Sequence, residues 1–485
     1  MPWYGYFSEE KGRQEAGLIV SAFAEKKIEI SVVATAEGWI AYMYAEGQLL
    51  VRQPYLEEIS EAFRERAQFS VIRRVIRDIV LVNVTFTGGK ATRSAKATRG
   101  EPAPPAGAAG ERRQPPLLEL LDDLETLFGP SIATLNHVAT TAGNGNPTGC
   151  PATEPQETYD TNPYPAVCPE GGEGVRVYVA DTGIVKSTVS STSWLNTEVT
   201  GDADPSVAVS GSPIKIQPYG GHGTFVAGVI RSMAPGAEIE VRSVFDIAGS
   251  GLEADFVPKL YAGFGFGAEI FHITVASPTR NNNQMMAFQA WLEDLRQRKG
   301  AVCIAPAGNS ASRHPFWPAA FPDVISVGAL SSDWRRRAYF SDFGGWVDVY
   351  APGENLVNAF ATGEFTCQIA PYVNEVRTFS GMAQWSGTSF STPIVTGLIA
   401  ARMTRCGESA REAATALLAK ARAEAIPGVG PALFPGCEGD ECRGRRDGGR
   451  DCGCGCGCGG NCGCGDGCGG GCRGGGRHRH GPMSR

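Results

Sequence analysis

A serine hydroxyl is a poor nucleophile at neutral pH, so a chain that uses one must set it on a rigid turn with a base in reach. Residues 387–393 read Gly-Thr-Ser-Phe-Ser-Thr-Pro and run into the apolar Ile394, Val395, Gly397, Leu398, Ile399 and Ala400. The pattern predicts a turn opening a buried helix, with Ser389 at the helix N-terminus. Unpaired backbone N–H groups and the positive end of the dipole there favour a developing oxyanion. Pro393 is expected early in that helix, where its missing N–H would have had no partner. A serine so placed can also simply cap the helix. Two upstream segments weigh against capping alone. Residues 175–183, Val-Arg-Val-Tyr-Val-Ala-Asp-Thr-Gly, form a β-rich run ending in Asp181 and a turn. That puts a carboxylate at the carboxyl end of a buried parallel strand, where open α/β sheets place ligands. Residues 220–228, Gly-Gly-His-Gly-Thr-Phe-Val-Ala-Gly, flank His222 with glycines that let other groups approach the ring. A lone Asp or His is more often a cap or a satisfied core residue. Together with Ser389 they supply the orienting acid, the base and the nucleophile of acyl transfer.

Asp-Thr-Gly, His-Gly-Thr-Phe-Val-Ala-Gly and Gly-Thr-Ser-Phe-Ser-Thr-Pro, in the order Asp181, His222, Ser389, resemble the signatures of the subtilisin-like serine peptidases. That order is the one described for subtilisin itself. Residues 305–310, Ala-Pro-Ala-Gly-Asn-Ser, then set Asn309 where the family carries its oxyanion-hole amide. The resemblance covers roughly residues 170 to 430. It implies a serine endopeptidase: His222 takes the Ser389 proton and returns it to the leaving amine, Asp181 orients the imidazole, and Asn309 donates to the oxyanion. It also implies that Thr274, Val275, Ala276, Ala307 and Gly308 bind substrate. Phe271–Ser277 occupies the place of the family's substrate-pairing strand, with His272 for its usual Asn and Ala276 for its usual Gly. An edge strand binds extended peptide through its backbone. The extra methyl of Ala276 means that side-chain preference cannot be copied from relatives, and His272 reads as structural. No cofactor is required. Calcium is frequent in the family, but Asp202, Asp204, Asp246, Asp323, Asp342 and Asp348 form no recognisable ligand loop, so it stays unassigned.

The elements that must position these groups follow from patterning. Beyond Asp181, strands are expected at 238–244, 269–275, 301–305 and 324–329, alternating with helices at 254–264 and 285–297. Such alternation implies an α/β fold, a doubly wound parallel sheet covered by helices on both faces, over residues 171–435. Residues 1–88 read as a small α+β unit. Its short strands are 28–34, 39–44 and 49–52, with Glu-Gly turns at 37–38 and 46–47. A helix follows at 55–68 and strand again over 71–86. Ahead of such a core this unit resembles the family's inhibitory propeptide; the alternative is an independent partner-binding module. Residues 89–116 form a Pro/Ala/Gly-rich linker, the accessible place for self-cutting. Residues 117–170 hold an amphipathic helix at 117–128, which is expected to pack on the core or the N-terminal unit, and a connector. His137 has no recognisable partner and reads as structural.

With 485 residues, 42% of them hydrophobic, the chain can bury more than one core. A net charge of -7 argues against a nucleic-acid binder, and no stretch is apolar enough to span a bilayer. The N-terminus lacks the pattern of a secretory signal, so a cytoplasmic protein is expected, with another export route open. Cys150 and Cys168 can pair in an oxidising compartment, but in the cytoplasm two free thiols are expected. Residues 436–485 carry Cys-Gly repeats with too little apolar content to fold, and a disordered tail is expected. Its Cys-x-Cys spacing with His478 and His480 suits a soft metal, with a redox-sensitive tail or an attachment segment as alternatives. Three functions remain open from sequence: a self-processing endopeptidase, a catalytically silent scaffold binding peptides in the same cleft, and a protease whose tail is its main business.

Overall fold

The structure, a computed structural model, describes residues 9–35, 39–87, 115–141, 152–245, 247–369 and 371–436. The linker from 88 to 114, Cys150, Asp246 and the Cys/Gly-rich tail lie outside the described residues.

The central sheet has seven strands in the order Val349–Pro352, Val324–Leu330, Val302–Pro306, Ile270–Ile273, Arg176–Asp181, Glu238–Ser243, Val199–Gly201. Every pairing in it is parallel. Parallel strands buried on both faces carry apolar residues at successive positions, because each face needs its own core. Within Arg176–Asp181, Val177 and Val179 enter one core with Phe225, Val229, Ile394 and Ile399. Tyr178 and Ala180 enter another with Phe256, Phe271, Phe288 and Trp291. Helices His222–Met233 and Thr388–Cys406 therefore cover one face, and Glu253–Lys259 and Met286–Arg296 the other. Strand order reverses at Arg176–Asp181, so Asp181 lies at the switch point where the sheet leaves a crevice.

The N-terminal part is built on an antiparallel sheet ordered Ser250–Leu252, Ala133–Thr140, Ile40–Arg52, Ile79–Phe86, Ala67–Ile76, with Ile30–Ala34 also paired to Ile40–Arg52. Helix Pro116–Phe128 covers it, burying Leu117, Leu120, Leu121 and Leu124 against Leu49, Val51, Val80 and Val82. The edge strand Ser250–Leu252 belongs by sequence to the catalytic region, so this sheet joins the two parts through backbone pairing. Leu50, Val75, Ile76, Ile79 and Leu81 share a core with Phe256 and Trp291. Arg73 pairs with Asp255 and Arg77 with Glu293 across the same contact. Arg280, 5% exposed at its side chain, lies against Asp122 and Glu125 of helix Pro116–Phe128.

Several expectations change. The segments 39–44 and 49–52 are one strand, Ile40–Arg52, because Glu46-Gly47 forms a bulge inside the ladder rather than a turn; Gly47 takes φ 70 and the register shifts between Tyr44 and Leu49. The strand expected over 71–86 is a hairpin, Ala67–Ile76 with Ile79–Phe86, turning at Arg77 in the left-handed region. The helix at 55–68 shortens to Leu56–Ala62. The connector contains a strand, Ala133–Thr140, every residue of which is buried. Pro393 is the sixth residue of helix Thr388–Cys406, so its missing N–H removes a bond the Ser389 carbonyl would have accepted. Cys168 is disulfide-bonded, as is Cys406, against the free thiol expected at Cys168; contacts that close such bonds are set by the fold and not by spacing.

Candidate active site

Asp181 ends its strand fully buried, with both carboxylate oxygens on His222 Nδ1, at 2.8 Å and 2.9 Å. The Thr182 N–H donates to Oδ1 at 2.6 Å, and the Thr274 hydroxyl lies 2.8 Å from Oδ2. Burial alone pushes this carboxyl upward. The facing imidazole, the Thr182 N–H and the Thr274 hydroxyl outweigh it and hold the group below its ordinary range. His222 opens helix His222–Met233 after Gly221, which sits at φ 82. A Cβ on Gly223 would overlap the Gly183 carbonyl and come within 3.1 Å of Asp181, so the ring reaches the acid only because this position has no side chain. Phe390 and Trp385, in contact with each other, pack against the ring with centroids at 5.1 Å and 5.6 Å.

Ser389 lies in the first turn of helix Thr388–Cys406 and is fully buried. Asn309 faces that turn: its Oδ1 accepts from the Thr388 N–H at 2.8 Å and lies 3.0 Å from the Thr388 hydroxyl. These contacts fix the amide plane and turn its Nδ2 donor away from Thr388. The Gly308 N–H donates to Thr388 Oγ1 at 3.2 Å, binding the 306–308 segment to the same turn.

The hydroxyl of Ser389 does not reach His222. It donates to the carbonyl oxygen of Thr141 at 3.0 Å, while His222 Nε2 has no hydrogen-bond partner among the described residues. One hydroxyl proton cannot serve both. The segment that takes it comes from the N-terminal part. Residues 138–140 pair antiparallel with 250–252, the Thr141 N–H donates to the Gly249 carbonyl at 3.0 Å, and Thr140 exchanges both backbone bonds with Ala276, at 2.9 Å and 2.8 Å. The chain thus lays its own extended strand between 249–252 and Ala276, ending against Ser389. Among the described residues, it is the end of this segment that lies at the site; the linker expected to be cut lies outside the described residues.

Of the substrate-binding candidates, Ala276 pairs with this strand and Gly308 with Thr388. Thr274 spends its hydroxyl on Asp181 and the Ala180 carbonyl, Val275 and Ala276 are fully buried, and Ala307 bonds to Val327. Sequence reasoning missed Thr140 and Thr141, as well as Trp385 and Asp204. Asp204 accepts from the Gly221 and Ser206 N–H groups and from the Thr182 hydroxyl, each at 2.8 Å, and so ties the Asp181 turn to the His222 turn. Burial pushes it up to about 6 despite those donors. The two remaining buried histidines are held neutral: burial brings His137 and His272 each down to about 3. Neither reaches the site; His137 Nε2 accepts the Arg280 N–H at 3.2 Å and His272 Nδ1 lies 2.8 Å from Thr396 Oγ1. Among the described residues no three His, Cys, Asp or Glu side chains converge as a metal site would require.

The same span of chain is similar to known proteins. A model of the subtilase family, peptidase S8, matches residues 172–430. The chain is 28% identical over 257 residues to the thermophilic serine proteinase of Bacillus sp. (strain AK1), covering 51% of this chain and 56% of that one. It is 28% identical over 270 residues to thermitase of Thermoactinomyces vulgaris, covering 53% of this chain and 84% of that one. A solved cold adapted subtilisin-like serine proteinase aligns with TM-score 0.43 and 21% identity over 59% of this chain and 96% of its own. The chain spans little more than half the length of the Bacillus relative. The family match extends from just before the strand that ends in Asp181 to well beyond the helix that carries Ser389, over more than half of the sequence, and on that ground the chain belongs to the subtilase family.

Proposed function

We propose that this chain is a serine endopeptidase that cuts itself. The observation that carries the reading is the contact of Ser389 Oγ with a backbone carbonyl at the end of an extended strand paired along the crevice. In the reaction Ser389 rotates toward His222, Nε2 takes the hydroxyl proton, and Oγ bonds to the carbonyl carbon. Asn309 Nδ2 and a backbone N–H of the helix turn bear the oxyanion. Collapse breaks the C–N bond, His222 protonates the leaving amine, and water releases the acyl group by the same steps. Asp181 keeps Nδ1 protonated and stabilises the imidazolium.

The bond first cut lies directly after the paired segment, at Thr141–Ala142 or Ala142–Gly143. Until the freed segment dissociates it blocks the crevice, so residues up to Thr141 act as an inhibitor of the remainder. The missing Ser389–His222 bond favours one rival, a silent peptide-binding scaffold. Intact-mass and N-terminal analysis of purified wild type beside Ser389→Ala separates them. Self-cutting gives a wild-type chain beginning at Ala142 or Gly143 and an uncut variant. A wild type that stays whole and does not react with a fluorophosphonate overturns the proposal.

A further inference from the structure

The acyl residue of a substrate, the one whose carbonyl Ser389 attacks, must place its side chain between the two segments that flank the reacting carbonyl. One is 274–276, paired to the bound strand through Ala276. The other is 306–308, tied to the nucleophile turn through Gly308. Both present little bulk of their own, since Ala276 carries only a methyl and Gly308 has no side chain, at φ 111. The slot between them should then be deep, but Phe316 fills it.

Phe316 is 4% exposed and forms a cluster with Ala276, with Tyr219 and Trp346 packed against it. On the opposite wall, a Cβ built on Gly308 would come within 2.8 Å and 3.1 Å of its ring edge. The ring therefore touches both walls at once. Its backbone is fixed there: Ser277 and Trp317 exchange N–H to carbonyl bonds at 2.7 Å and 3.0 Å, and the Phe316 carbonyl accepts from Ala320 at 2.9 Å. A side chain buried among such contacts cannot swing away without opening a cavity.

Resting on the peptidase reading above, we propose that Phe316 closes the floor of this slot and limits the enzyme to substrates with a small acyl residue, of the size of glycine, alanine, serine or threonine. The chain's own sequence from Thr141 onward, Thr141-Ala142-Gly143, offers only such residues. One methylene changes discrimination by roughly tenfold or more. A phenylalanine or leucine that must displace a packed ring should therefore be disfavoured by at least about 100-fold against alanine.

The test uses full-length protein as purified, with peptides that differ only in the acyl residue, and a fluorophosphonate to count reactive serine. Wild type is expected to cleave alanyl peptides at least about 100-fold faster, in kcat/KM, than phenylalanyl or leucyl ones. Phe316→Ala should raise the rate on phenylalanyl peptides relative to alanyl ones by tenfold or more, on the order expected for a reopened slot. Phe316→Val, which keeps an apolar plug, covers the case in which the alanine variant does not fold, and should shift the ratio the same way by less. If labelled wild type cleaves phenylalanyl peptides as fast as alanyl ones, or if a labelled, folded Phe316 variant leaves the ratio unchanged, the preference is overturned while the peptidase reading stands. Absence of labelling overturns both.

Discussion

Ser389 donates its only hydroxyl proton to the carbonyl oxygen of Thr141, a residue 248 positions earlier, and not to the imidazole with which it would react. The strand carrying Thr141 is held on both edges, by 250–252 and by Ala276. Asp181 and His222 are thus paired, while the Ser389 hydroxyl is engaged by the chain's own backbone.

That relationship depends on the ladder. Thr140→Pro deletes the N–H that bonds the Ala276 carbonyl and places a ring in the paired strand. Self-cutting, followed by intact mass over time, should slow by about tenfold or more, equivalent to at least ~1.4 kcal/mol of lost positioning. Equal rates in the two proteins would show that the segment is cut in another arrangement.

On the proposed peptidase reading, Ser389 and His222 should matter more than Asn309. In subtilisin, a member of this family, loss of the serine or histidine costs about 10⁶ in kcat and loss of the oxyanion-hole Asn about 10² to 10³, and these magnitudes are carried over from it. Ser389→Ala, His222→Ala and the double variant should all fall to the same residual rate on a peptide substrate, because the two groups act as one unit. Asn309→Ala should keep its fluorophosphonate reactivity to a measurable degree.

Arg280 lies buried against Asp122 and Glu125 and is a charged contact that fastens helix Pro116–Phe128 to the loop following strand Ile270–Ile273. Arg280→Met removes a buried cation from two acids that keep partial access to water, so the cost should be about 1–3 kcal/mol rather than the full value for a sealed pair. Limited proteolysis of Ser389→Ala with and without this change reads it: residues 1–141 should become more readily digested in the double variant.

Two buried acids give the chain a pH dependence opposite to that of Asp181. Burial pushes Asp342 and Glu253 each up to about 8, although two N–H groups bond Asp342 and the Ala287 N–H bonds Glu253. Their folded pKa values lie above the unfolded ones, so the folded state holds these protons more tightly. Each then lowers stability as pH rises from about 4 to 8, by up to about 1.4 kcal/mol per unit, and adds no further slope above that. Asp342→Asn keeps an acceptor for the Ser310 and Ser312 N–H groups and removes the ionisation. Its Tm relative to wild type should be higher at pH 8.5 than at pH 5. Asp181 acts in the other direction: its carboxyl is held low, so the stability it gives is present above the ordinary carboxyl range and is lost as pH falls through the lowered value.

The alternation of apolar strands and helices, the Gly-flanked His222, the strand-terminal Asp181 and the turn before Ser389 were all legible in the sequence, because each is a local pattern whose backbone and side-chain demands lie within about ten residues. Strand Ala133–Thr140 was not. Its eight residues include Thr134, Asn136, His137 and Thr140, all buried, and the alternation of 133–136 breaks at His137, so polar residues fall on both faces of a strand that is covered throughout. The same holds for Asp204, whose donors beyond its own loop come from the Asp181 and His222 turns, and for Phe316, which packs against Ala276, 40 positions earlier. Which carbonyl meets Ser389, and what fills the slot beside it, are questions of which distant segments share a space. Sequence determined the chemistry this chain can carry; the packing of remote strands decided what that chemistry first encounters.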